Sequence, residues 1–206
     1  MAAGSRTAVI KGDVVRSRKA PPGQWLPVLK GVLAQYGSEP RQWEIKDGDA
    51  FTLELEADRA IVAMLNVMAA IMSVKGLSVR MALGVGEKTY DAARVNESNG
   101  TAFAHAGDCF DQLGKAKLAM RSDSPDMDEE MNIHLSFISH SMGNWTPKVA
   151  RIVQTQITHP NLRQVEIAEL LPNTSQPEVS KNLGKAGYDS MMAVESRYRK
   201  LLIRNT

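Results

Sequence analysis

The chain has 206 residues, 43% of them hydrophobic, enough for one large or two small domains around a packed core. Lys and Arg number 25 against 23 Asp and Glu, a net of +2, which excludes a uniformly basic polyanion binder. The single cysteine, Cys109, excludes an internal disulfide, has no metal-ligand companions and points to a reducing compartment.

The charge is unevenly divided. Residues 145–206 carry nine Lys or Arg against five acids, a net of +4, which leaves −2 for the rest of a chain whose total is +2. A mildly acidic body with a basic tail points toward nucleic acid. The first seven residues lack an apolar signal segment. The longest apolar stretch, residues 60–74, is broken by Asn66 and Ser73 and is too short to span a bilayer. A soluble, cytoplasmic protein without membrane association is therefore expected.

Residues 7–15 (TAVIKGDVV) are rich in β-branched side chains and read as a strand ending near Asp13. The basic, breaker-rich loop 16–23 follows. Apolar residues at Trp25, Val28, Leu29, Val32, Leu33 and Tyr36 predict an amphipathic helix over 24–36, closed by Gly37. Residues 43–53 (WEIKDGDAFTL) read as two strands joined by the acidic turn Asp47-Gly48-Asp49. A nearly apolar helix is predicted over 57–75, then an alternating strand over 77–85. The order βαββαβ predicts a ferredoxin-like antiparallel sheet, of the nucleotide cyclase or palm type, with both helices on one face. That topology brings Asp13 beside the Asp47/Asp49 turn.

Beyond a polar loop (87–100), a helix is expected over 101–113, a short strand over 116–121 and a helix from the acidic segment 123–130 to about His140. Gly143-Asn144 breaks the pattern and marks the expected boundary between an α+β domain, 1–143, and an all-α domain, 144–206. Helices are predicted near 146–157, 163–171, 175–185 and 190–202, the first started by Thr146-Pro147.

Two carboxylates at a strand end and a neighbouring hairpin, Asp13 and Asp49 with Asp47 as a third candidate, have the chemistry to hold Mg²⁺ or Mn²⁺ together with a nucleotide. Arg16, Ser17, Arg18 and Lys19 precede a helix and form a candidate phosphate seat. The plainer reading of the same residues is a turn and a strand-end cap. The histidines have no zinc-ligand spacing, Cys109 reads as a small core residue, and Met64, Met68 and Met72 read as core.

Lys46-Asp47-Gly48-Asp49-Ala50-Phe51 resembles the hairpin of class III nucleotide cyclases, and Lys11-Gly12-Asp13-Val14-Val15 resembles their first metal-binding strand. Closer still, the chain resembles the SatD family. The motifs are Gly12-Asp13-Val14-Val15-Arg16-Ser17-Arg18, Gly48-Asp49-Ala50-Phe51, the strand Arg80 to Gly86, and Gly100-Thr101-Ala102-Phe103-Ala104-His105-Ala106, followed by a C-terminal helix-turn-helix. This resemblance implies a cyclase-like domain over 1–143 and a helix-turn-helix domain over 144–206. The Asn and Arg that cyclases use at the ribose and the transferring phosphoryl group would fall near Ala104 and Asp108. The adenine-selecting Lys would fall near Trp43. Losing the cation removes electrostatic stabilisation worth roughly 10²-fold or more in rate, so no residue is assigned a catalytic role.

In the tail, Ile167, Leu171, Val179 and Leu183 form the expected core of two crossing helices, with Ala168 at their close approach and Ser175 capping the second. Ser175, Gln176, Ser180, Lys181 and Lys185 are the expected DNA-facing residues, while Glu178 would sit near phosphates and weaken binding. The sequence thus predicts a DNA-binding transcriptional regulator, homodimeric, with a degenerate cyclase-like sensing or dimerisation domain. A metal-dependent nucleotide enzyme and a protein-interaction module are the alternatives.

Overall fold

The computed structural model describes residues 6–204. Its architecture is α+β: a five-stranded mixed sheet with eight α-helices among the described residues. The strands are β1 (Thr7–Val15), β2 (Trp43–Lys46), β3 (Ala50–Glu56), β4 (Ser78–Gly86) and β5 (Leu118–Arg121), in the order β2-β3-β1-β4-β5. β1 runs antiparallel to both β3 and β4, and β5 adds in parallel at the β4 edge. The short strand β5 begins at Leu118, two residues later than expected.

β1 is covered on both faces, so its apolar residues do not stop at the period of two. Ala8, Ile10 and Val14 join the main core, while Val9 packs on the opposite side with Ala102, Ala106 and Phe103. The main-core face carries α1 (Pro22–Leu33) and α2 (Ala60–Met72). The other face carries α3 (Thr101–Asp111). Asp13 shares the period of Val9 and Lys11 and therefore belongs to the α3 face.

Helix ends differ from expectation by a few residues for local reasons. α1 starts at Pro22 because proline suits the first helical position, where no backbone N–H is needed. A 3₁₀ turn over Ala57–Arg59 precedes α2, and the chain leaves the helix at Met72, ahead of Gly76 with φ +83°.

The far face of β2 and β3 is closed by the loop 87–100. Glu44 and Glu54 are each 7% exposed, a costly burial without partners. Arg94 and Asn96 hold Glu44, and Lys88 holds Glu54 at 2.8 Å. The polar loop is therefore a strap of counter-charges.

The remaining helices are α4 (Pro125–Met142), α5 (Pro147–Thr158), α6 (Gln164–Glu169), α7 (Gln176–Ala186) and α8 (Tyr188–Arg204). Ser124 and Thr146 cap α4 and α5 through their hydroxyls. α5 lies on α2, and its apolar residues Ile152 and Val153 belong to the same continuous core as the sheet. α8 returns to the body: Tyr198 donates to the Ala57 carbonyl at 2.8 Å, and Arg197 grips Glu130 through two nitrogens at 2.6 and 3.0 Å. None of the described helices is long and apolar enough to cross a membrane.

Candidate functional site

The acidic turn sits where β1 ends. Asp13 pairs in register with Ala50 on one side and Arg80 on the other, and the Val14 N–H donates to the Asp49 carbonyl at 3.1 Å. Lys46 pairs with Ala50, so Asp47, Gly48 and Asp49 form a three-residue loop. Asp47 and Gly48 take φ of +53° and +94°, conformations that Asp tolerates and Gly adopts freely.

Asp13, Asp49, Arg16, Ser17, Arg18, Lys19 and Arg80 line one cleft of about 540 Å³. Six of these seven are the residues the sequence pointed to, brought together by the sheet order. Asp47 does not line this cleft; it is exposed in a neighbouring groove with Trp25 and Leu26.

Arg80 is the residue that sequence reasoning did not connect to the site. Its Nε donates to one Asp13 oxygen at 3.0 Å and its Nη2 to the other, a bidentate fork. The guanidinium also lies over the Phe110 ring, 5.5 Å from the centroid. The hydrogen bond to Asp13 pushes the Arg80 pKa further up. The available signal was a lone cation within an otherwise apolar strand. Asp49 is engaged as well, accepting from the Ser17 hydroxyl.

Four cations and two carboxylates line the cleft, a surplus of two positive charges. Such a lining attracts anions and repels a free divalent cation. No cluster of three or more His, Cys, Asp or Glu able to hold a metal exists among the described residues. With both Asp13 oxygens taken by Arg80, these donors do not fit a resident Mg²⁺ or Mn²⁺ unless Arg80 moves away. Arg80→Ala removes one positive charge and frees both oxygens. We expect it to raise Mn²⁺ affinity about tenfold over the wild type, read by electron paramagnetic resonance titration. Equal affinity in the two proteins would contradict this account of the cleft.

The positions near which the cyclase resemblance places its ribose, phosphoryl and base contacts are Ala104 and Asp108, both exposed on α3, and Trp43 on β2. Asp108 is exposed on α3, 3.4 Å from Arg121. Trp43 is 4% exposed and donates through its indole to the Gly37 carbonyl at 3.0 Å, so it is a core anchor. His105 Nδ1 lies 2.9 Å from the Val85 carbonyl. Burial pushes the Cys109 thiol up to about 11, which leaves it without thiolate character at neutral pH.

In the C-terminal segment, Ile167, Ala168, Leu171, Val179 and Leu183 are all buried between α5, α6 and α7. Asn173, with φ +50°, turns the chain between α6 and α7. Ser175, Gln176, Ser180, Lys181 and Lys185 are all exposed along α7 and its cap. One detail differs from expectation. Glu178 is turned back, accepting from the Ser175 N–H at 3.1 Å and from Lys148 at 2.7 Å, and Lys148 lowers its pKa. Asn182 is spent on the Glu178 carbonyl at 2.7 Å. The outward face of α7 is thus relieved of its nearest negative charge.

No family model matches the chain, and no curated protein matches it.

Proposed function

We propose that this chain is a DNA-binding transcriptional regulator of the SatD kind, with a catalytically degenerate cyclase-like domain and a helix-turn-helix formed by α6 and α7. The carrying observation is the outward face of α7, where Gln176, Ser180, Lys181 and Lys185 stand exposed. Amides and hydroxyls read base edges in the major groove, and lysines contact the flanking phosphates. The neutralisation of Glu178 by Lys148 favours the same reading. The antiparallel order β2-β3-β1-β4 agrees with a ferredoxin-like domain, and the Arg80 fork on Asp13 argues against cyclase chemistry. A homodimer would present two α7 helices to successive half-sites.

The test is selection from a random duplex library by the full chain, followed by titration at 50 to 200 mM salt, the range over which phosphate-dominated binding falls by roughly 10³-fold or more. The Lys181→Ala/Lys185→Ala double variant is expected to lower the logarithmic salt slope by about two. Absence of salt-sensitive binding, with or without nucleotides, would end this reading.

The cleft supports a second reading, a metal-dependent nucleotide-processing enzyme in which Arg80 releases Asp13, because Asp13 and Asp49 share the cleft with Arg16, Arg18 and Lys19. Incubation with the four nucleoside triphosphates and Mg²⁺ or Mn²⁺, with products read by mass spectrometry, separates the two. Turnover abolished by Asp13→Asn would favour the enzyme.

A further inference from the structure

A second cavity, of about 660 Å³, lies where the sheet's helices meet the C-terminal helices. Tyr36 and Val62 line it from the α1 end and α2, and Ile157, Tyr188 and Met192 line it from α5 and α8. Its volume is in the range of small-molecule sites, which bury an apolar body and fix it with a few polar groups.

Asn66 is the one polar residue of α2 and is 1% exposed. It lines this cavity, donating through Nδ2 to Gln35 at 2.9 Å and to the Tyr36 hydroxyl at 3.0 Å. Its Oδ1 is buried and has no hydrogen-bond partner among the described residues. A buried amide left half-satisfied is costly where an apolar residue would pack without penalty.

The charges at the cavity are two guanidiniums, Arg59 and Arg199, and one carboxylate, Glu195. Arg199 is paired with Glu195. Arg59 lies over the Tyr36 ring, 5.2 Å from its centroid, and has no carboxylate within ion-pair distance among the described residues. Burial pushes the phenols of Tyr36 and Tyr188 up, so neither adds negative charge. One positive charge is left over, set beside two aromatic rings and an aliphatic wall.

We propose that this cavity binds a small aromatic monocarboxylate, its carboxylate on Arg59 and its ring between Tyr36, Tyr188 and the apolar wall. Guanidinium and carboxylate match in charge and geometry, and flat rings stack on tyrosine. The cavity walls belong to α2 on one side and to α5 and α8 on the other, the helices against which α7 rests. Occupancy therefore biases how the C-terminal helices seat on the body. That coupling to DNA rests on the proposed function; the binding itself does not.

The experiment is isothermal titration of the full chain with indole-3-carboxylate and, separately, with the neutral indole-3-carboxamide. Saturable binding of the carboxylate with Kd below about 1 mM is expected. The carboxamide should bind about tenfold more weakly, and Arg59→Gln should weaken the carboxylate by a similar factor. Arg59 is exposed, so this variant should keep the wild-type melting temperature. Met192→Trp, which places a larger ring against the proposed ring site, should weaken binding. No carboxylate binding, equal binding of the carboxamide, or binding indifferent to Arg59→Gln and Met192→Trp would overturn the proposal. Loss of DNA binding with retained carboxylate binding would count against the regulator reading alone.

Discussion

Tyr198→Ala is expected to destabilise the chain by about 3 to 5 kcal/mol, the usual cost of deleting a fully buried aromatic side chain. Tyr198 is 0% exposed, and its hydroxyl reaches from α8 across 141 residues of sequence to the Ala57 carbonyl. The ring sits where the last helix closes on the 3₁₀ turn before α2. Burial holds its phenol far above the ordinary pKa, so it remains a neutral donor across the accessible pH range. For a chain of this size the loss corresponds to roughly 6 to 20 °C in melting temperature. Tyr198→Phe keeps the ring and strands one carbonyl, for a smaller cost of about 1 to 3 kcal/mol. Because the C-terminal helices share one continuous core with the sheet, urea unfolding should remain a single transition in the wild type. Separate transitions for body and tail, or an Ala variant as stable as the wild type, would show that this contact does not join them.

Gly84→Ala carries the second large effect. A Cβ at Gly84 would lie 2.1 Å from the Ala102 carbonyl oxygen and 2.3 Å from the Ala106 nitrogen. Both are backbone atoms of α3, so no rotamer change relieves the clash. The helix must move away from β4, opening the small cluster around Val9, Ala102 and Ala106. A cost of about 3 kcal/mol is expected, at the upper end of ordinary overpacking. A Cβ at Gly31, inside α1, meets nothing within 4 Å among the described residues, so Gly31→Ala is the control. It should stabilise by about 0.5 to 1 kcal/mol through helix propensity and reduced unfolded-state entropy. Equilibrium urea denaturation measures both. A Gly84→Ala midpoint equal to the wild type would contradict the close approach of α3 and β4.

The two aspartates illustrate how far pattern reading reaches. Asp13 and Asp49 fall together because the strand–helix–hairpin order leaves β1 beside β3, and that order is legible in alternating and helical apolar spacing. Asp47 belongs to the same turn and shares the neighbouring groove with Asp49, but it does not line the cleft that holds Asp13. Trp43 is a core anchor for a reason that period-two alternation contains: it pairs with Leu53 on the buried side of the hairpin. α3 is the contrary case. Its helical spacing is readable, yet its seat on the opposite face from α1 and α2 depends on small residues at the contact with β4, which no local pattern announces.

Element identity, the acidic turn, the basic loop before α1 and the amphipathic C-terminal helices all follow from short-range spacing, since backbone propensity and face periodicity act over a few residues. What the aspartates are bound to does not follow. Arg80 meets Asp13 across 67 positions, and Lys148 meets Glu178 across 30. Side-chain pairing of that kind depends on which strands and helices become neighbours and on the distances between them. Only the folded chain shows that the carboxylate suited to a metal is already held by a guanidinium, and that a second cavity opens between α2 and the returning α8.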